Sequence, residues 1–238
     1  MTEPAWIQIE TRRATDFAAD GERSGNRLVS EEEHRRAREM KNPSRRAEFL
    51  TGRRLIRRMI GARLGLPPEE ISLAVMATGQ PRLAGPSQIP IHFSISHSMG
   101  LVACAVAGIP VGIDVEAFDR ISAPRAHARA HYHPSEYTHL TKLSARDQGV
   151  VAMELWTLKE AFAKAIGLGL RLGLDATNFT IDLRKRVSAD LSGAQADSRD
   201  WAFATFSVLE GFACSIAMEA KGRRARIQLN GEAYQGPM

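Results

Sequence analysis

Residues 101–116 read LVACAVAGIPVGIDVE, and the fold turns on how that stretch is cut. Leu101 to Ala107 is an unbroken run of small and branched apolar residues, the composition of a strand buried on both faces. Gly108 and Pro110 interrupt it. Val111 opens a second run, which stays apolar to Ile113 before Asp114 and Glu116 alternate with Val115. Two strands joined at Gly108–Pro110 are expected. The first run, with Gly100 before it, has an echo at residues 211–218, GFACSIAM, close to half the chain further on. Two related halves and a chance likeness between two core strands are both open readings of that echo.

Working outward, AWIQIE (residues 5–10) alternates as a first strand does. Ser30 and Glu33 have the spacing of a capping box and open a charged helix through about Met40. Pro43 starts a longer helix. Its Phe49, Leu50, Leu55, Ile56, Met59, Ile60 and Leu64 share a helical stripe, and its other face is almost all arginine: Arg45, Arg46, Arg53, Arg54, Arg57 and Arg58. ISLAVMATGQPRLAGP gives a short strand and a turn, and IHFSISHS a strand. Residues 117–150 are polar and rich in His and Arg, giving loop and short helix. A helix is expected over 150–166. NFTIDL is a strand, and WAFATFSVLEGFACSIAMEA is a hairpin turning near Glu210–Gly211. Residues 226–238 read as a loose tail.

The composition, 44% hydrophobic and 25% charged over 238 residues, is that of a globular chain. A net charge of +5 favours an anionic partner without choosing among phosphate, nucleic acid, membrane and acidic protein. Cys104 and Cys214 each sit within a small apolar run and read as buried free thiols, which fits a reducing cytoplasm. No signal peptide is visible and no apolar run approaches the roughly 18 residues of a membrane span. A cytoplasmic protein with no membrane partner is the expectation.

Several small constellations carry chemistry. On a strand, Asp114 and Glu116 point to one side. Paired carboxylates are either a strand end emerging into water or oxygen ligands for Mg²⁺, which keeps water and phosphate in its other positions. Glu160 and Lys164 in ELWTLKEAFAKAIGLGL (154–170) share a helix face, with Trp156 one turn earlier and Lys159 adjoining. They are a surface ion pair or part of a site. Gly167 and Gly169 serve as a helix stop or as room for a ligand. Ser94, Ser96 and Ser98 alternate onto one strand face beside His97, a polar edge or a set of donors for phosphate oxygens. The arginine helix is a solvated face or a phosphate contact; it has little of the aromatic interleaving that stacks on bases. Together these groups suit Mg²⁺ and a polyphosphate.

The order GQPRL, FSISHS, VGIDVE, HPSEY, WTLKEAFAKAIGLGL, over about residues 30–180, resembles the 4′-phosphopantetheinyl transferases, in particular the long single-chain type that modifies carrier proteins of polyketide and nonribosomal peptide synthesis. The resemblance implies an α+β fold of two similar subdomains, residues 1–115 and 116–225, related by a pseudo-twofold with the active site between them. It implies transfer of phosphopantetheine from coenzyme A to a carrier-protein serine, with 3′,5′-ADP released. It further implies Mg²⁺ (or Mn²⁺) on Asp114, Glu116 and Glu160. Ser96 and His97 would lie at coenzyme A phosphates, Lys164 at the pyrophosphate with Lys159 assisting, and Arg53, Arg46 and Arg36 at the nucleotide end. Glu160 or a metal-bound water would be the general base. A monomer is implied, since two halves in one chain complete the site. Two departures stand out: Gln80 where many relatives have the lysine of GKP, and Ser94 where many have asparagine. Against this reading stand a non-catalytic coenzyme A-binding relative and a basic nucleic-acid-binding module built on the arginine helix. A third alternative is a general Mg²⁺ phosphotransferase or hydrolase, and the missing GxxxxGK pattern argues against nucleoside triphosphate chemistry.

Overall fold

The computed structural model describes residues 4–16, 28–76, 79–85, 87 and 89–236. Strand β1 (Ala5–Arg13) alternates buried and half-buried positions, as its sequence does. Helix α1 (Glu31–Glu39) starts at the expected capping box: Ser30 Oγ accepts from the Glu33 N–H, and the Glu33 carboxylate accepts from the Ser30 N–H. The Asn42 side chain caps α2 (Pro43–Leu64), Pro43 takes the first turn, and left-handed Gly65 ends it. Strands β2 (Leu73–Val75) and β3 (Pro81–Leu83) pair with each other, and β4 (His92–Ser98) pairs with β5 (Leu101–Ala107). After β6 (Val111–Ala117) come α3 (Pro124–His131), α4 (Pro134–Leu140) and the long α5 (Ala145–Ala165). The chain continues through β7 (Asn178–Ile181), β8 (Val187–Asp190), β9 (Trp201–Ser207), β10 (Phe212–Glu219), β11 (Ala225–Leu229) and β12 (Glu232–Ala233).

The cut at Gly108–Pro110 separates two sheets. β5 belongs to a five-stranded sheet of order β12-β11-β1-β5-β4, and β6 to a three-stranded sheet of order β6-β10-β9. The pairs β1–β5, β5–β4, β6–β10 and β10–β9 are all antiparallel, and a long helix follows the first strand of each set. Ile7, Ile9, Ala105, Ile113, Val115, Cys214 and Ile216 join one buried apolar cluster spanning both sheets. Leu55, Ile56, Met59 and Ile60 of α2 cover Val102, Cys104 and Val106 of the first sheet. Leu158, Ala161 and Phe162 of α5 pack with Phe203 and Ala217 of the second. The order of layers is helix, sheet, sheet, helix, a mixed α/β architecture. Each such fully buried Leu, Ile or Phe contributes about 1.5–3 kcal/mol. Both cysteines are free and buried, as expected.

Two expectations differ from the structure. Residues 226–238 are no loose tail as far as they are described: Ala225–Leu229 adds to the first sheet parallel to β1, with Ile227 opposite Ile7, and Ile227 is buried. Residues 237–238 lie outside the described part. The arginine face of α2 is not wholly solvated, because α1 lies over part of it. Arg57 is buried on Glu33 at 2.9 Å and donates to the Ile71 carbonyl at 3.0 Å, and Arg53 is buried 3.4 Å from Glu33. Among the described residues no helix is long and apolar enough to cross a membrane.

Candidate active site

The even-numbered residues of β6 face α5. Gly112 lets the helix come down on the strand: a Cβ there would sit 1.9 Å from the Ala161 carbonyl oxygen. That close approach brings Asp114 and Glu116, on the same strand face, beside Glu160 and Lys164 on the helix. Lys164 Nζ lies 2.6 Å from Asp114 Oδ1 and donates to the Ile113 carbonyl at 3.2 Å.

The serines of β4 complete the other wall. Ser96 Oγ donates to Asp114 Oδ1 at 2.6 Å and accepts from the Val115 N–H at 3.2 Å. Ser94 Oγ accepts from the Ile113 N–H at 3.1 Å, and Ser98 Oγ donates to Glu116 Oε2. The alternation read from FSISHS is therefore real, and these hydroxyls link β4 to β6 across the boundary between the sheets. Arg120, one turn beyond β6, holds the other Glu116 oxygen.

The electrostatics leave this cluster short of positive charge. Burial pushes the Glu116 carboxyl above the usual range, with the Asp114 charge adding to it against Ser98 and Arg120. Burial likewise raises Glu160, followed by the charge of Asp114, with Lys164 opposing. Two carboxylate oxygens, Asp114 Oδ2 and Glu160 Oε1, are buried with no hydrogen-bond partner. Buried carboxylate oxygens left so are the donors a hard divalent cation takes, and in that respect the residues fit such an ion. As they stand, no three His, Cys, Asp or Glu side chains among the described residues are grouped closely enough to hold a metal.

A cleft of about 560 Å³ adjoins this cluster, lined among others by Arg36, Gln80, Arg82, Ser94 and Lys164. Gln80 Nε2 donates to the Lys164 carbonyl at 2.8 Å, binding the β2–β3 turn to the end of α5. His97 points to the opposite face of β4 from Ser96. Its Nδ1 pairs with Glu48 Oε2 at 2.9 Å, and burial keeps it below the ordinary histidine range despite that carboxylate. Arg46 reaches the Met40 carbonyl at 2.9 Å. Arg36 and Arg53 lie over the Phe49 ring, 5.4 and 5.0 Å from its centroid. On the other side of the acids, Trp156 packs against His127 with centroids 4.8 Å apart and lines a smaller hollow with Arg120 and Met153.

Lys159 is not in this group, which corrects the expectation that it assists at phosphates. It is fully buried: Nζ lies 2.8 Å from Glu136 Oε2 and donates to the Leu174 and Thr177 carbonyls at 2.8 and 2.5 Å. Its partner comes from HPSEY, so that motif forms a lock between α4 and α5. Glu48 was missed. It accepts from the Gly100 N–H at 2.6 Å as well as holding His97, and its signal was an acid on the apolar stripe of α2, four residues before Gly52.

Comparison with known proteins bears on this arrangement. The family model of the 4'-phosphopantetheinyl transferase superfamily matches residues 110–217. A 4'-phosphopantetheinyl transferase of Bacillus subtilis is 32% identical over 163 residues, 68% of this chain and 71% of that protein. The 4'-phosphopantetheinyl transferase gsp of Aneurinibacillus migulanus is 36% identical over 133 residues, 56% of this chain and 53% of that protein, so the match spans about half of its length. A holo-(acyl-carrier-protein) synthase of Bacillus anthracis, solved in complex with CoA (3',5'-ADP), overlays 42% of this chain and 92% of its own at 24% identity with a TM-score of 0.36.

Proposed function

The chain belongs to the 4'-phosphopantetheinyl transferase superfamily, and from that premise we propose that it moves the 4'-phosphopantetheine group of coenzyme A onto a serine of an apo acyl or peptidyl carrier protein. The serine oxygen forms a bond to the β-phosphorus, the bond from that phosphorus to the bridging oxygen breaks, and 3',5'-ADP leaves. The observation that carries this reading is the meeting of Asp114, Glu116, Glu160 and Lys164 between β6 and α5, with two buried carboxylate oxygens unpartnered.

Phosphoryl transfer asks for in-line positioning and for neutralised oxygens rather than covalent help. Asp114, Glu116 and Glu160 are the residues that would hold Mg²⁺, or Mn²⁺ in its place, and the ion would offset charge on the pyrophosphate. Lys164 supplies a fixed cation at the same place. Glu160, its carboxyl raised by burial, or a water on the metal would take the proton of the carrier serine. Ser96 holds Asp114 in orientation, and His97, held by Glu48 on the opposite face of β4, would meet a coenzyme A phosphate on that side. Gln80 and Arg36 line the cleft that would take coenzyme A, whereas Arg46 and Arg53 do not line it and Arg53 is buried beside Glu33. The acidic helix of a carrier protein would meet Arg120, Arg125 and Arg129 around α3, Arg125 being already bonded to Gln148. The matching strand orders β1-β5-β4 and β6-β10-β9 support two subdomains related by a pseudo-twofold, divided before β6 rather than between residues 115 and 116, which would cut that strand. The same reading takes the enzyme as a cytoplasmic monomer.

The test is to incubate the protein with coenzyme A, Mg²⁺ and a panel of apo carrier proteins and record intact masses. One phosphopantetheine gained on a carrier, lost with chelator and at least about 10²-fold slower in Glu160→Gln, is the expected result. No gain on any carrier while coenzyme A still binds would refute transfer.

A further inference from the structure

A groove of about 690 Å³ runs along α5 between α4 and the turn after β7. Its floor is apolar, with Val151, Leu155 and Ile181, while the ionisable groups on its walls are mainly acids: Glu136, Asp147, Glu154 and Asp182 beside His139 and Lys185. Asp182 is paired with Arg186 at 2.7 Å and Glu136 with the buried Lys159 at 2.8 Å, which leaves Glu154 and Asp147 as the acids open to a new cation.

Glu154 is the feature that asks for a ligand. It is 4% exposed. Lys185 Nζ meets Oε1 at 2.6 Å, and Oε2 is buried with no hydrogen-bond partner. A buried carboxylate with one oxygen orphaned is a costly arrangement, and the partner it has is loosely held. Lys185 is half exposed and stands at a positive φ in the turn that Asp182 closes. A half-exposed pair of this kind is weak. A planar guanidinium would offer two parallel N–H groups, one to each oxygen, where one ammonium reaches only one. Leu183, wholly exposed at the rim, adds apolar surface for whatever carries the cation.

We propose that this groove binds an organic cation, a guanidinium on a short apolar chain, and that the cation takes the place of Lys185 against Glu154 while the chain lies on Val151, Leu155 and Ile181. This site is separate from the acids of β6 and does not depend on the transfer reaction.

The probe is hexylguanidinium, titrated into the full-length protein by calorimetry and ligand-observed NMR, with hexanol as the uncharged counterpart. Saturable one-to-one binding of hexylguanidinium, at least about tenfold tighter than hexanol, is expected. Glu154→Gln should weaken it at least about tenfold, and Lys185→Met should tighten it by up to about fivefold, the worth of the displaced half-exposed pair. The two variants thus move in opposite directions, which a general loss of folding would not produce. Absence of saturable binding overturns the proposal, as does hexanol binding equally well, unchanged binding in Glu154→Gln, or weakened binding in Lys185→Met. The first two comparisons use the wild-type chain and stand even if a variant fails to fold.

Discussion

Lys159→Met separates a structural lysine from a phosphate ligand. In the structure the ammonium is fully buried, bonded to Glu136 and to two backbone carbonyls, with the Tyr132 and Phe179 rings 5.7 and 5.6 Å away. Methionine matches the stem in volume but donates nothing. Breaking a buried ion pair from one side costs about 3–5 kcal/mol, which already contains most of the loss of the carbonyl bonds. Glu136 limits the damage: it keeps the N–H groups of Phe179 and His133, and the upward push of burial on its carboxyl, which Lys159 opposes in the wild type, then acts without that opposition. For a chain of this size each kcal/mol moves Tm by about 2–4 °C, so a fall of roughly 6–20 °C is expected. The assay is calorimetry beside steady-state kinetics with coenzyme A below the new Tm. KM for coenzyme A should stay within about twofold, since no cleft residue is touched. Adding Glu136→Gln should return part of the loss, because the orphaned acid is then gone. A variant as stable as wild type with a raised KM would refute the reasoning and return Lys159 to the phosphates.

Gly112→Ala should lose soluble protein or at least about 3 kcal/mol, because its Cβ would strike the backbone of Ala161 and Ala165 rather than a side chain that can turn away; unchanged yield and Tm would show that α5 does not sit so close to β6. Gln80→Lys should lower KM for coenzyme A by up to about tenfold, since it adds a cation to the cleft at the C-terminal end of α5, where the helix dipole favours one; a raised KM would show that the amide bond to the Lys164 carbonyl matters more. Burial lowers His97 despite Glu48, with Lys164 and Arg45 adding to the lowering, and burial also lowers His92 and His127. Below about pH 6.5 the unfolded chain therefore binds more protons than the folded one at these sites, and stability should fall as pH drops from about 7 towards 5. The raised acids Glu116, Glu136 and Glu160 act in the opposite sense nearer their own range, so the readout is the difference in Tm slope between wild type and His97→Gln, which should be shallower in the variant.

What the sequence carried best was face. A period of two put Asp114 and Glu116 together and the three serines together, and a period of 3.6 put Glu160 with Lys164; all three groupings stand in the structure. What it carried poorly was what each face meets. Lys159 adjoins Glu160 in sequence, yet one residue is about 100° of helix, so Glu160 looks at β6 while its neighbour looks at Glu136 and the Thr177 backbone. Arg53 and Arg57 show the same limit: helical spacing places both among the apolar positions of α2, four residues after Phe49 and three before Ile60, but only the packing of α1 decides that Glu33 answers them. In β11 the alternation of Ala225, Ile227 and Leu229 was a readable strand signal, and its partner at the far end of the chain was not.

That division also explains why the acids are where chemistry is expected. β6 is buried along its whole length, so a strand in its place could have been apolar throughout. Instead it presents two carboxylates to a helix that adds a third, and the surrounding groups answer only part of that charge: Lys164 and Ser96 on one oxygen of Asp114, Arg120 and Ser98 on Glu116. Burial makes each unanswered carboxylate oxygen expensive, and neither Asp114 Oδ2 nor Glu160 Oε1 would be left so if folding alone had shaped this junction. A core selected only for stability would replace these acids with apolar side chains at little loss or some gain. Such acids, at the boundary between the two sheets and beside a cleft lined by Arg36, Arg82 and Lys164, suit the proposed site for a phosphorylated substrate.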